Sequence, residues 1–247
     1  MSAVDPVMQA RVDLAAALRW AARHQLNEGI DNHFSMVVPG REDRFLINPH
    51  GLHWSEITPA DLVMTDASGA IIEGRHPVEA TAFYIHGRIH LGNPRAKVVM
   101  HTHMPYATAL TTLTDGRVEM CTQNAFRYYD RIAYDEIYNG LALDNEEGDR
   151  LCRAMGDKSI LMLRNHGVVV AGPNVAMAYE DLYFLERTAL VQVLAMQTGR
   201  PLDVVPTQVV ARTARQIADG SQQQAEMHFE ALKRMMSRDE PGWDRLH

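Results

Sequence analysis

The sequence predicts an α/β fold in which a layered sheet carries helices on its faces. Short β-rich runs bounded by turn residues lie in the middle of the chain. Apolar residues recur at helical spacing before, between and after those runs. No internal repeat divides the chain, so strands and helices are expected to share one layered architecture.

The elements follow in order. Over 4–26, Val12, Ala15, Ala16, Leu18, Ala22 and Leu26 recur at helical spacing, with Asp5 as cap and Pro6 in the first turn, which predicts an amphipathic helix. Strands are predicted over 34–38, over 44–47 after the turn Pro39-Gly40, and over 62–65 before the turn at Ser68-Gly69. Joined by turns, these three read as an antiparallel meander. Pro77 opens a helical stretch to Leu91 with Ala82, Phe83, His86, Ile89 and His90 on one side, and Gly92-Asn93-Pro94 ends it. The run KVVMHT over 97–102 predicts a buried strand, and 118–122 a weaker one. An acid-led first turn from Asp144 and a terminal Gly156 frame another helix. Two strands, 160–164 and 168–171, flank the tight polar break Asn165-His166-Gly167. A long helix runs from Val175 to about Gly199, and a last helical region over 208–236 is broken or kinked near Gly220.

At 247 residues the chain is expected to form one domain, 1–247, ending in a helical tail over about 207–247. Its first residues lack the uninterrupted apolar run of a secretory signal, and no segment reaches the roughly 18 apolar residues that span a bilayer. A cytoplasmic protein without a membrane partner is expected. Cys121 and Cys152 lack a Cys-x-x-Cys partner and sit in apolar surroundings, which predicts buried thiols rather than a disulfide framework. Acidic residues exceed basic ones by seven, so phosphate backbones are poor partners and nucleic acid is not expected. The informative excess is histidine: of twelve, eight lie between His33 and His103.

His101 and His103 close the buried strand KVVMHTH, and residues two apart on a strand point to the same face. Two imidazoles at a strand end can therefore meet one ion. A catalytic ion typically keeps three protein ligands and an open position. His166 is the candidate third ligand, because it also leaves an apolar strand and Gly167 lets the backbone turn at little cost. Spacing alone reaches a divalent metal site and goes no further.

HTHMPYATAL, followed some sixty residues on by LRNHGVVVAG, resembles the class II aldolase/adducin family, as do DNHFSMVVPG, INPHGLHWSEITPADLV and AFYIHGRIH. The pieces occur in the family's order and cover roughly 12–197. The resemblance lies nearer the adducin-like branch that does not act on sugar phosphates. It implies a three-layer αβα subunit with a central, mostly antiparallel sheet, usually in a homotetramer whose ion lies in a cleft between adjacent subunits. By the same resemblance, His101, His103 and His166 match the metal-binding histidines.

Departures from the family pattern narrow the chemistry. In its sugar-phosphate aldolases a catalytic glutamate stands four residues before the helix histidine that His86 matches, and here that place holds Ala82. Glu79, one turn earlier, either replaces the missing carboxylate from about 5 Å further along the helix or is a solvated first-turn residue. Asn32 and Gly51 keep their places in the phosphate cradle, but Gly29, His50 and Ala80 stand where hydroxyl residues usually do, leaving Thr81. Each lost hydrogen bond to a charged group removes about 1.5–3 kcal/mol, so a sugar phosphate is a poor substrate. In place of the cradle stand His33, His50, His53 and Trp54, with Arg127, Tyr128, Tyr129 and Tyr134 as candidates to reach across a subunit boundary. Histidine and arginine suit a carboxylate, and rings suit a flat organic body. The bland reading makes the rings packing residues and Arg127 a surface ion-pair partner.

The sequence thus predicts a divalent-metal-dependent carbon–carbon lyase acting on a non-phosphorylated hydroxy- or oxo-carboxylate, aromatic or not. Decarboxylation or retro-aldol cleavage would share a metal-stabilised enolate. Glu79, His86 and Tyr134 are the candidates to move the proton, and Asn32, His33, His50, Gly51, Thr81 and Arg127 to hold the substrate. Zn2+ is the expected ion, with Mn2+, Fe2+ and Co2+ fitting the same ligands. The alternatives are a non-catalytic adducin-like binding module, and an epimerase or isomerase using the same enolate.

Overall fold

The computed structural model describes residues 5–245 and places eight strands in one sheet. The strands are β1 (His33–Val38), β2 (Arg41–Ile47), β3 (Val63–Asp66), β4 (Ile71–Glu73), β5 (Val98–Thr102), β6 (Ile132–Asp135), β7 (Ile160–Leu163) and β8 (Gly167–Gly172). Their order is β4-β3-β2-β1-β5-β8-β7-β6, antiparallel throughout except for the parallel pair β6–β7 at one edge. The helices are α1 (Pro6–Arg23), α2 (Ala80–Gly92), α3 (Pro105–Thr111), α4 (Asn145–Met155), α5 (Val175–Met196), α6 (Thr207–Ala218) and α7 (Ser221–Asp239).

Alternation along the strands separates two cores, as the pleat requires. On one face Phe34, Leu46, Met100, Val168 and Val170 pack with Leu14 and Leu18 of α1, Leu182 and Leu185 of α5, and Phe229 of α7. On the other, Val99, Leu161 and Val169 pack with Ile85 and Ile89 of α2 and with Leu151 and Met155 of α4. The result is the expected three-layer αβα arrangement. The register sets His33 opposite His101 and Ser35 opposite Val99, so these side chains share the α2 side of the sheet.

Several elements differ from the sequence reading. The weak strand expected at 118–122 does not form: the Val118 N–H donates to the Tyr134 hydroxyl, the Glu119 N–H to the Gln192 side chain and the Cys121 N–H back to the Glu119 carbonyl, which withdraws these donors from a ladder. The strands β4 and β6 and the helix α3 are absent from the sequence reading. The helix expected from Pro77 begins at Ala80 with Glu79 as its N-cap, while the Pro77 carbonyl accepts the His50 N–H at 2.8 Å. Val4, the expected start of the first helix, lies outside the described residues, as do 246–247 of the expected domain; α1 starts at Pro6, capped by Asp5. The break near Gly220 is real: Gly220 takes φ 85° between α6 and α7. Both cysteines are free thiols, as expected, but half-buried rather than buried. Among the described residues no helix is long and apolar enough to cross a membrane.

Candidate metal centre

Three neighbouring features bring the expected histidines together. His101 lies one residue before the end of the buried strand β5, His103 follows it by two residues, and His166 sits in the three-residue loop of the β7–β8 hairpin, whose second strand pairs with β5. Their ring centroids lie 4.8–5.0 Å apart, and one donor atom from each ring falls within 4.8 Å of the others.

The outer nitrogens of two rings are already engaged. His101 Nδ1 donates to the Val168 carbonyl at 2.9 Å, and His103 Nδ1 donates to the Glu28 carboxylate at 2.7 Å. Both Nε2 atoms therefore carry free lone pairs, and His103 Nε2 is buried with no hydrogen-bond partner. A ring nitrogen held by a carbonyl or carboxylate, with the other left bare, is the arrangement of a metal-ligating histidine. The donor set fits a divalent ion. Burial first, then the neighbouring rings, push His101 well below its ordinary value, and burial with His103 and His33 brings His166 down to about 4. Neutral imidazoles, the form that ligates, are thus favoured at neutral pH.

Gly167 matters for a reason other than the one the sequence suggested. Asn165 takes the left-handed conformation at φ 55°, and Gly167 instead makes room: a Cβ there would lie 2.5 Å from the Thr102 carbonyl oxygen and 2.8 Å from the His103 ring. Asn32, also left-handed at φ 75°, ties the loop before β1 to the site, its Oδ1 accepting the N–H groups of Glu28 and His103. Its Nδ2 is buried and unpartnered.

Glu79 does not lie within the helix but caps it, and it is not freely solvated. As the cap of α2 its carboxylate accepts the Ala82 N–H, the Thr81 hydroxyl and His33 Nε2, the last at 3.1 Å. Burial alone would raise its carboxyl, but the hydrogen bonds from His33 and Thr81 outweigh it and bring it down to about 2. Ala82 is buried against Ile47 and Val63. His33 stacks on His101 at 5.3 Å and meets His86 edge-on at 5.2 Å. His50 is half-buried, and Gly51 turns the chain at φ 93°.

The other aromatic and basic candidates lie in other contacts of this subunit. The Arg127 guanidinium covers Phe184 at 4.1 Å and faces Glu180 at 3.6 Å. Tyr134 sits beneath Arg117 at 4.2 Å, its hydroxyl accepting from Val118. Tyr128 and Trp54 are core residues, Trp54 packing on Phe34 at 4.6 Å, and His53 bonds Ser55 and Asn27. The sequence reading missed Glu28, which no spacing rule links to His103, and Tyr138, whose ring lies 6.5 Å from that of His166.

Comparisons with known proteins agree with this geometry. The profile of the Class II Aldolase and Adducin N-terminal domain matches residues 12–193. A crystal structure of an aldolase II superfamily protein from Pseudomonas syringae superposes with a TM-score of 0.91 at 34% identity, covering 100% of this chain and 98% of that one. The decarboxylase NovR of Streptomyces niveus is 30% identical over 82% of this chain and 75% of its own length. An adducin-related protein of Schizosaccharomyces pombe is 34% identical over 75% of this chain and 59% of its own.

Proposed function

Since the chain belongs to the class II aldolase and adducin family, we propose that it is a divalent-metal-dependent carbon–carbon lyase acting on a non-phosphorylated hydroxy- or oxo-carboxylate. The observation that carries this reading is the histidine triad, with two outer nitrogens tied to Val168 and Glu28 and the Nε2 atoms of those two rings left bare. A divalent ion held by His101, His103 and His166, Zn2+ first among the candidates, supplies Lewis acidity to substrate oxygens and stabilises the negative charge left when the bond breaks.

The residues around the triad favour decarboxylation over retro-aldol cleavage. Aldol cleavage needs a base to take a hydroxyl proton before the bond breaks, and a carboxylate held at about 2 is a weak one. Decarboxylation needs no such base, only a proton returned to carbon afterwards. The Thr81 hydroxyl is spent on Glu79, and both Glu79 and Glu28 present negative charge near the rings. A phosphate dianion finds little here to hold it. The unpartnered Asn32 Nδ2 and the half-buried His50 are the polar groups we assign to the substrate. Arg127 and Tyr134, engaged elsewhere in their own subunit, would reach a substrate only from a neighbouring copy in a homo-oligomer, which we take to be a tetramer. The similarity to a protein named as a decarboxylase supports the same choice.

The test is metal content per chain on protein purified without chelator, beside His101→Ala, followed by a screen of hydroxy-aromatic and oxo acids for carbon dioxide or aldehyde release. About one ion per chain in the wild type, lost with turnover in the variant, is expected from three protein ligands. Absence of metal from both would favour a binding module, a reading for which the adducin-related similarity speaks. A product of unchanged mass would indicate an epimerase.

A further inference from the structure

One guanidinium pins the segment that follows β6 beside the triad. Because β6 and β7 run parallel, their C-terminal ends meet at the same end of the sheet, with Asp135 paired to Leu163. The chain leaving β6 therefore emerges next to the hairpin loop that carries His166. Arg150 of α4 holds this segment from both sides. Its Nη1 and Nη2 donate to the two carboxylate oxygens of Asp135 at 2.8 and 2.7 Å, and its Nε and Nη2 donate to those of Glu147 at 2.8 and 2.7 Å. Asp135 and Glu147 are buried. Bidentate, charge-assisted bonds of this kind fix geometry as well as adding energy.

The same two carboxylates reach the residues on either side of Tyr138. Asp135 Oδ1 accepts the Ile137 N–H at 3.2 Å, and Glu147 Oε2 accepts from Asn139 Nδ2 at 3.0 Å. Tyr138 is thus held between two anchored neighbours while remaining 54% exposed, its ring centroid 6.5 Å from that of His166 at an angle of 75°. Two of the segment's polar groups, the Ile137 N–H and the Asn139 amide, are spent on this network. What it leaves uncovered is the Tyr138 ring with the aliphatic side chains of Ile137, Leu141 and Leu143. A sugar-like body rich in hydroxyls finds few partners on this flank. A second flat ring gains the offset or edge contact that aromatic pairs favour, against a surface already ordered before it arrives.

We infer that Tyr138 determines substrate specificity: its ring is a preformed platform for an aryl group carried by the carboxylate substrate, and Arg150 is the positioning residue that holds the platform in place. The inference rests on the lyase reading for what sits at the triad and deepens it by naming the rest of the substrate. The carboxylate end belongs at the histidines, and the aryl body belongs against Tyr138. Leu141 and Leu143, further along the segment, remain for a neighbouring copy to cover.

The test compares acids that differ only by phenyl in place of methyl, mandelate with lactate and benzoylformate with pyruvate, titrated calorimetrically into protein carrying its divalent ion. The phenyl member of each pair should bind about 10-fold more tightly, the upper scale of an aromatic pair. Tyr138→Ala should erase most of that difference while lactate, pyruvate and metal content hold. Tyr138→Phe should keep it, since the ring and not the hydroxyl supplies the contact. Arg150→Lys, which keeps the charge but cannot bridge both carboxylates, should lose the preference as Tyr138→Ala does; a merely structural role would lower the melting temperature and leave the affinity ratio alone. Equal affinities within each pair, no binding of either aryl acid, or a preference that survives Tyr138→Ala would overturn the platform. If the preference depends on Tyr138 but no acid is turned over, the platform stands and the lyase reading fails. Turnover without any such preference keeps the lyase reading and removes the platform.

Discussion

At the scale of single residues, the site depends on small steric and hydrogen-bonding details. Gly167→Ala would push a Cβ to 2.5 Å from the Thr102 carbonyl oxygen and 2.8 Å from the His103 ring. Neither neighbour can retreat easily, because Thr102 is in the β5 ladder and His103 is held by Glu28. The variant should lose about 1–3 kcal/mol of stability, the range for overpacking, and much of its metal; thermal melts and metal analysis check this. An unchanged melt with full metal would show that the hairpin can shift. The triad was legible in the sequence because strand periodicity and a polar hairpin break are local signals. Glu28 was not, since its bond to His103 comes from the loop before β1 meeting the end of β5 in space. Glu79 was misplaced for a simpler reason: its role as a cap depends on where the helix begins, and the proline at 77 drew that boundary too early.

At the scale of elements, α2 carries His86 and His90, and its seat depends on α4. The two helices approach so closely at Gly148 that a Cβ there would lie 2.2 Å from the Tyr84 carbonyl oxygen. Gly148→Ala should therefore cost about 1–3 kcal/mol in urea unfolding while leaving metal content intact, since the triad rides on β5 and the β7–β8 hairpin. Loss of the ion along with stability would mean that α2 also holds the triad in place. The meander, the central strands and the long helices were readable from periodicity because each buries one regular face. Among those that were not, besides the three-residue edge strand β4, are β6 and α3. Four-residue β6 is partly exposed and gains its identity only by pairing with β7, and the seven-residue α3 is fastened by the Glu186 carboxylate, which accepts the Tyr106 and Ala107 N–H groups from 80 residues away. Conversely, the run at 118–122 was read as a weak strand, but side chains claim its first two donors and a local turn claims that of Cys121.

At the scale of the molecule, the segment after β6 exposes Ile137, Tyr138, Leu141 and Leu143 at 54–68% of their surface, beside His166. Apolar patches of this kind mark interaction sites, and a second copy of the chain is the occupant consistent with a cleft completed across subunits. Sedimentation should find an oligomer, and Leu141→Ser with Leu143→Ser should shift it toward smaller species and reduce turnover. A wild type that stays monomeric at all concentrations would refute the shared cleft. The sheet order has a consequence for how the protein comes apart. The strands β1, β5 and β8, which carry or flank the triad, are the fourth, fifth and sixth of eight. Fraying from β4 must therefore cross β3 and β2 before it reaches β1, and fraying from β6 must cross β7, the first strand of the His166 hairpin, before it reaches β8 and β5. Amides in β5 should exchange with solvent only through the largest openings, so escape of a bound ion by unfolding would follow the slow rhythm of the whole molecule rather than the breathing of its edges.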